Sequence, residues 1–281
     1  MSDLLEQTTR RLLADHCTPE VVAAAEGSWS PRLWDQLEQT GLTGVGVPEA
    51  IGGSGGDLRG AATVVRLAAG YAAPVPLAEA ALLAGWVCAT SGLRFPPGPP
   101  TLVTDSPDAS VVASRTASGW TIRGSVPRVP WGHVATSMIV VARVDTDGYV
   151  TATVDPSDCE LVPEVNLAGE PRDTVTFRDV TLAADAVRPF PDDRIEDMRA
   201  RGALARAVQM GGALERVLEL TTRYAGERVQ FGRPIGRFQA VQHQVALLAG
   251  EVVAVDAAVD AAVDALLRGD GDRAAAVAKV R

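Results

Sequence analysis

Apolar residues recur every three or four positions from Leu4 to about residue 95, a helical spacing supplied mainly by Ala and Leu. PEAIGGSGGD at 48–57 interrupts it, and the glycine density there predicts a loop, with Asp57 placed to cap a helix that begins at Leu58. A second helical run, AAPVPLAEAALLAGWVCATSG, is expected to end at Gly92. RFPPGPP at 94–100 then closes the region, because its four prolines cannot continue a helix.

Between Thr101 and about Pro189 the period drops to two. TLVT, SVVAS, GWTIRGSV, TSMIVVARV, GYVTATV and DTVTFRDVTL are β-branched segments separated by Gly, Asp and Pro, which predicts six or more strands in a compact barrel or sandwich. From Asp192 helical spacing returns, with one helix over about 196–229, a second over about 237–267, a turn at RGDGD (268–272) and a third helix beginning before Arg281. The pattern therefore predicts an α+β chain in three parts: an N-terminal helical domain (1–95), a middle β-barrel or sandwich domain (96–189) and a C-terminal helical bundle (190–281). The repeat of Asp256, Asp260 and Asp264 reads as a solvated acidic stripe on an Ala/Val-rich helix.

Composition narrows the function more than the fold. A net charge of -9 on 281 residues excludes a general nucleic-acid binder, which needs a basic surface to release counterions from phosphates. Cys17, Cys88 and Cys159 are too far apart for a disulfide framework and have no histidine at ligand spacing, so neither a zinc site nor any other metal site is expected. The amphipathic start MSDLLEQTTRRLLADH has no apolar signal region, and no apolar run approaches the ~18 residues that span a bilayer, so a soluble cytoplasmic chain is expected.

The chemistry concentrates in RYAGERVQFGRPIGRFQ, residues 223–239. Arg228 and Phe231 stand one helical turn apart, Gly232 and Pro234 stop the helix, and Gln239 opens the next. Taken singly, these residues read more simply as a surface ion pair of Arg228 with Glu227 or Glu251 and a core phenylalanine.

The order of helices, strands and helices resembles the acyl-CoA dehydrogenase family, and four stretches bear the resemblance. They are GLTGVGVPEAIGGSGGD (41–57), GWTIRGSV with ATSMIVVARV (119–144), LAGEPRDTVTFRDVTLAADAV (167–187) and RYAGERVQFGRPIGRFQAVQH (223–243). The resemblance implies an FAD-dependent oxidoreductase that introduces an α,β double bond into an acyl-CoA, with an electron-transfer flavoprotein as acceptor. It also implies that the fourth stretch reaches across a subunit interface to a neighbour's FAD, with Arg228 at the pyrophosphate, Phe231 beside it, Gln239 bonding nearby, and Ile235 and Phe238 in the same cleft. A guanidinium suits a phosphate because it offers a rigid fork of donors.

The chain departs from the family where the chemistry would be done. The family's catalytic carboxylate sits either in a late segment, before which this chain ends, or at a position that here falls on Gly202, flanked by Arg201 and Ala203. No catalytic residue is therefore expected. Glu215 lies too far along the helix to substitute. The flavin-cradling Thr-Glu-Pro stretch is replaced by something short between Gly98 and Ala109, and its Trp-Ile-Thr-Asn counterpart falls on Arg128-Val129-Pro130-Trp131. Trp131 reads as a buried rim residue in preference to a replacement flavin stacker, His133 as a strand-end polar residue and His243 as a helix-face residue. The combination resembles the non-catalytic subunit of heteromeric (α2β2) actinobacterial acyl-CoA dehydrogenases associated with steroid catabolism, which completes the FAD site of a catalytic partner chain. A truncated homo-oligomeric dehydrogenase and an inert acyl-CoA-binding or scaffold protein of the same fold are the alternatives.

Overall fold

A computed structural model describes residues 2–105, 109–145 and 148–270. The N-terminal helices are α1 (Ser2–His16), α2 (Pro19–Ala24), α3 (Pro31–Gln39), α4 (Leu58–Gly70) and α5 (Gly85–Ser91), the last continuing a π-helical stretch, Ala78–Ala84. Their starts follow local chemistry. The Ser30 hydroxyl accepts from Leu33 N at 3.3 Å, and the Asp57 carboxylate accepts from Gly60 N at 2.9 Å, as the capping position predicts. The second run ends at Gly92, which takes φ +72.

The middle of the chain is a single eight-stranded sheet among the described residues. Its strands are β1 (Pro100–Thr104), β2 (Ser110–Arg115), β3 (Gly119–Pro130), β4 (Ser137–Val144), β5 (Tyr149–Val154), β6 (Glu160–Val162), β7 (Arg172–Ala183) and β8 (Val187–Phe190). The order is β6-β7-β3-β2-β4-β5-β8, with β1 paired in parallel to β4. Side chains from β1 to β5, β7 and β8 converge on one core that includes Val111, Met138, Val140, Val175 and Phe177, so the sheet folds around its own interior as the expected barrel or sandwich does. Strand β4 explains why SMIVVARV is apolar without alternation. Met138 and Val140 face that interior, whereas Ile139 and Val141 pack outward on Val87 and Cys88 of α5 and on Phe190.

The C-terminal part is α6 (Ile195–Glu227), a hairpin of β9 (Val229–Gln230) and β10 (Arg233–Pro234), and α7 (Gln239–Leu267). Helix α6 stops short of the expected residue 229, which leaves Arg228 extended after its last turn. The third helix expected before Arg281 lies outside the described residues. The two ends of the chain share one core, in which Leu13, Leu33, Trp34 and Val64 meet Leu204 and Val208 of α6 and Val259 and Val263 of α7.

Glycine permits the closest approach in that core. At Gly212 of α6 a Cβ would collide with the Arg66 backbone carbonyl of α4, and at Gly70 it would stand 3.2 Å from the Gly212 carbonyl oxygen. The same crossing brings opposite charges together. Arg66 is ion-paired with Glu215 and, at 2.9 Å, with Asp256, while Arg59 is ion-paired with Asp264. The acidic residues of α7 are thus not only a solvated stripe, because two of the three dock on the basic face of α4.

Substitution of Gly212 by Ala forces backbone against backbone and is expected to cost about 2–3 kcal/mol, read as a lower urea midpoint with unchanged m. Gly250 of α7 meets nothing within 4 Å, so Gly250→Ala should raise stability by about 0.5–1 kcal/mol through helix propensity. Asp256 gives a pH test. Burial pushes its carboxyl above the usual value, Arg66 opposes this, and Glu215 and Asp260 reinforce it. A raised folded value means that the charged form is disfavoured on folding, a penalty present at neutral pH and absent below the unfolded value of about 4. Asp256→Asn should therefore be at least as stable as the parent at pH 7 and lose that advantage as the pH falls through about 4 in parallel urea titrations.

Candidate functional site

Two places bear the residues that the sequence singles out. The first is the arm formed by the end of α6, the β9–β10 hairpin and the start of α7. Its α6 side leaves the shared core beyond Gly212: Leu214 and Leu218 are half-buried, while Val217, Leu220 and Tyr224 are exposed. On the returning α7, Val245 and Leu248 are half-buried, Leu247 is exposed, and Val252 is the first fully buried residue. Apolar surface along the arm is thus left uncovered by the rest of the chain.

At the turn of the arm, Arg228 N donates to the Tyr224 carbonyl at 2.8 Å, and Ile235 N donates to the Arg228 carbonyl at 2.8 Å. These two bonds fold the hairpin back on α6, and Gly236 allows the contact because a Cβ there would stand 3.0 Å from the Ala225 carbonyl oxygen. Phe231 and Gly232 form the hairpin tip with φ of +52 and +76, the left-handed geometry of a tight two-residue turn. Left-handed backbone is unfavourable for phenylalanine, and this one is 91% exposed, so it is not the core residue that the simpler reading expects. Its ring meets Phe238 edge to face at 6.1 Å, and the Arg233 guanidinium lies 4.3 Å from the centre of the Phe238 ring. Ile235 and Phe238 are half-buried beneath the tip, and Gln239 is exposed at the first turn of α7. Arg228 is exposed and makes no ion pair among the described residues, neither with Glu227 nor with Glu251. His243 is exposed further along α7.

The second place is an open-sided cavity of about 760 Å³ lined by α2, α4, the 72–78 segment, the 166–172 loop and α6. Trp131, buried with φ +58, forms part of its wall, as the rim reading expects. Irregular pairing between β3 and β7 from Val126 to Val129, with Arg128 at φ +58, redirects the chain into the turn that holds Trp131. Asp173, wholly buried, secures that turn. Its carboxylate accepts from His133 N at 2.6 Å, faces His133 Nδ1 at 2.9 Å and accepts from Glu164 N at 3.2 Å. His133 therefore has a buried carboxylate partner and is more than a strand-end polar residue.

Gly202 has nothing within 4 Å of where a Cβ would be. Beside it, Arg201 lies 4.7 Å from the centre of the Trp86 ring, and burial, opposed by Asp197, lowers its pKa to about 10. The carboxylates nearest in sequence are engaged elsewhere: Glu196 with Arg199, Asp197 with Arg194 and Glu215 with Arg66. One turn on, Arg206 lines the cavity and is ion-paired with Glu79, which is 1% exposed. Burial disfavours the Arg206 charge, but Glu79 outweighs it and the guanidinium is held more firmly protonated than usual. Arg206, Glu79 and Asp173 escape a motif-based reading, although single charges inside PLAEAALLAG and ALARAVQM are a signal that a buried pair is present.

Residues 2–92 match the acyl-CoA dehydrogenase N-terminal domain and residues 195–281 the acyl-CoA dehydrogenase C-terminal domain. The chain belongs to the acyl-CoA dehydrogenase family. Its sequence is 32% identical over 264 residues to acyl-CoA dehydrogenase IpdE2 of Mycobacterium tuberculosis, spanning 90% of this chain and 73% of that protein. Acyl-CoA dehydrogenase FadE27 of the same organism is 31% identical over 82% of this chain and 66% of its own length. Among solved structures, the ChsE4-ChsE5 complex of M. tuberculosis superposes with a TM-score of 0.87 at 24% identity, covering 99% of this chain and 80% of that one. The Tcur3481-Tcur3483 steroid ACAD, as its G363A variant, superposes with a TM-score of 0.83 at 26% identity, over 99% and 81% of the two chains. The likeness covers nearly the whole chain, which has the family's α+β architecture. None of its described helices is long and apolar enough to cross a membrane.

Removal of the buried Asp173 carboxylate strands the donors that it satisfies. Asp173→Ala is expected to cost about 3 kcal/mol in urea denaturation and Asp173→Asn less, because the amide keeps one acceptor oxygen.

Proposed function

We propose that this chain is the accessory subunit of a heteromeric FAD-dependent acyl-CoA dehydrogenase, one that completes the FAD site of a catalytic partner chain. The observation that supports this most directly is the arm, where a hairpin carries an exposed Arg228 that makes no ion pair among the described residues and an exposed Phe231 with left-handed backbone. Both fit a cofactor held by another subunit. A guanidinium on an anchored backbone suits a diphosphate, the Phe231 and Phe238 rings offer an apolar edge, and the Gln239 amide and Ile235 complete the cleft.

The chain's own flavin-cradling stretch does not fit the cofactor in the same way. Pro130 stands where the family has a hydroxyl and offers neither a hydroxyl nor a backbone N–H, and Trp131 is packed into the cavity wall. The role of this chain is therefore to hold the diphosphate, cover the flavin edge and exclude water from it. FAD, when bound, supplies the two-electron acceptor for α,β-desaturation of the acyl-CoA, and an electron-transfer flavoprotein then takes the electrons. The family base position at Gly202 has no carboxylate, so the α-proton is removed by the partner. The likeness to the Tcur3481-Tcur3483 steroid ACAD favours a steroid-derived acyl-CoA as substrate, in a cytoplasmic enzyme.

The test is flavin content of the complex co-purified with the catalytic chain. Arg228→Ala should remove a charge-assisted bond worth roughly 1.5–3 kcal/mol, a ten- to hundredfold loss in cofactor affinity, with the subunits still assembled. Arg228→Lys should recover only part of it, since an ammonium keeps the charge without the fork, and Gln239→Ala should cost on the order of 1 kcal/mol. Full flavin occupancy in an assembled Arg228→Ala complex would exclude the proposed role.

A further inference from the structure

The tip of the arm holds a second arginine whose contact differs from that of Arg228. Arg233 follows the two-residue turn at Phe231 and Gly232 and stands opposite Gln230 in the hairpin. Pro234 and one tight helical turn, Ile235–Arg237, then reverse the chain and bring Phe238 back against Arg233. The Arg233 guanidinium lies 4.3 Å from the centre of the Phe238 ring, and that ring meets Phe231 at 6.1 Å with the two planes at 88°. The three side chains form one row, Arg233–Phe238–Phe231, running from the hairpin strand through the start of α7 to the exposed tip.

The members of the row are held unequally. Phe238 is half-buried and anchored on both sides, since its N–H donates to the Ile235 carbonyl at 3.0 Å and its carbonyl accepts from Gln242 N at 3.0 Å. Phe231 has less support, because its ring is 91% exposed and meets no ring but Phe238 among the described residues. Arg233 makes no side-chain hydrogen bond or ion pair among the described residues, and its contact there is the ring face of Phe238. A cation over a ring face is attracted by the ring quadrupole, so Arg233 restrains the ring against which Phe231 rests.

We propose that Arg233 is a positioning residue, one that acts through Phe238 to hold the Phe231 ring where the partner's cofactor meets it, without itself binding the diphosphate. The inference rests on the proposed function of the arm and adds a division of labour between its two arginines. A diphosphate contact uses the planar fork of donors, which lysine lacks, whereas a cation–π contact needs only a cation over the ring, which lysine supplies. Lysine should therefore recover only part of the function at 228 and all of it at 233.

The experiment is titration of FAD into the flavin-depleted complex co-purified with the catalytic chain, followed by flavin fluorescence, with urea midpoints measured on the same samples. Arg233→Gln should weaken FAD binding about two- to fivefold, the worth of an exposed cation–π contact, and Arg233→Lys should bind as the parent does. Phe238→Leu should cost at least as much, and in that background Arg233→Gln should cost nothing more, because the ring through which it acts is gone. Parent-level affinity in Arg233→Gln overturns the proposal, and it does so even where the urea midpoint falls, since the contact is then structural alone. Equal losses in Arg233→Lys and Arg233→Gln, or a further loss in the double variant, overturn it as well by making Arg233 a direct phosphate ligand. Arg228→Ala in the same titration judges the arm reading separately, because that reading stands if Arg228→Ala loses affinity, whatever the Arg233 variants do.

Discussion

The crossing of α4 over α6 is the constraint on which the other contacts depend. At Gly212 the two backbones approach more closely than a Cβ allows, with Gly70 also in tight contact, and this fixes how the C-terminal helices sit on the N-terminal ones. With that contact set, Leu204 and Val208 enter the N-terminal core, Arg66 falls between Glu215 and Asp256, and Arg206 comes opposite Glu79. One 33-residue helix then has two functions. Its first half packs and lines the cavity, and its second half leaves the core as the arm.

Charge is distributed accordingly. Cations of α4 meet anions of α6 and α7 at a partly exposed seam, where each pair adds at most about 1 kcal/mol but opposite signs specify which faces dock. In the Arg206–Glu79 pair the carboxylate is wholly buried, so loss of Arg206 alone would leave a buried charge without its ion-pair partner. Arg228 is the contrast, a guanidinium on a rigid turn with no ion pair among the described residues. Its backbone is anchored while its guanidinium is left in solvent, which makes it available to the proposed partner.

The arm shows how local strain and assembly are linked. Phe231 adopts a left-handed backbone that glycine or asparagine would accept more readily, and its ring is left in solvent apart from the edge contact with Phe238. Such backbone persists where the surrounding structure over-determines it, and here the hairpin bonds to Tyr224 and Arg228 do so, which leaves the exposed ring available to the proposed partner.

Several features were legible from the sequence because their causes are local. The change of period from helix to strand and back, the Asp57 cap, the glycine end at Gly92 and the family segment at 223–243 each depend on residues a few positions apart. Even there, the stop of α6 at Glu227 and the turn that exposes Phe231 came from tertiary context, because periodicity cannot distinguish the last turn of a helix from the hairpin that follows it. What only the tertiary structure decided joins distant residues. The acidic stripe of α7 became a docking face through Arg59 and Arg66, His133 gained Asp173 across two strands, and Glu79 met Arg206 from the other end of the chain. Each of these is a long-range pairing of polar groups, and no periodicity encodes such a partner. Sequence alone marks those residues as charged, and only the crossing of α4 and α6 and the wrap of the sheet determine which of them are buried together.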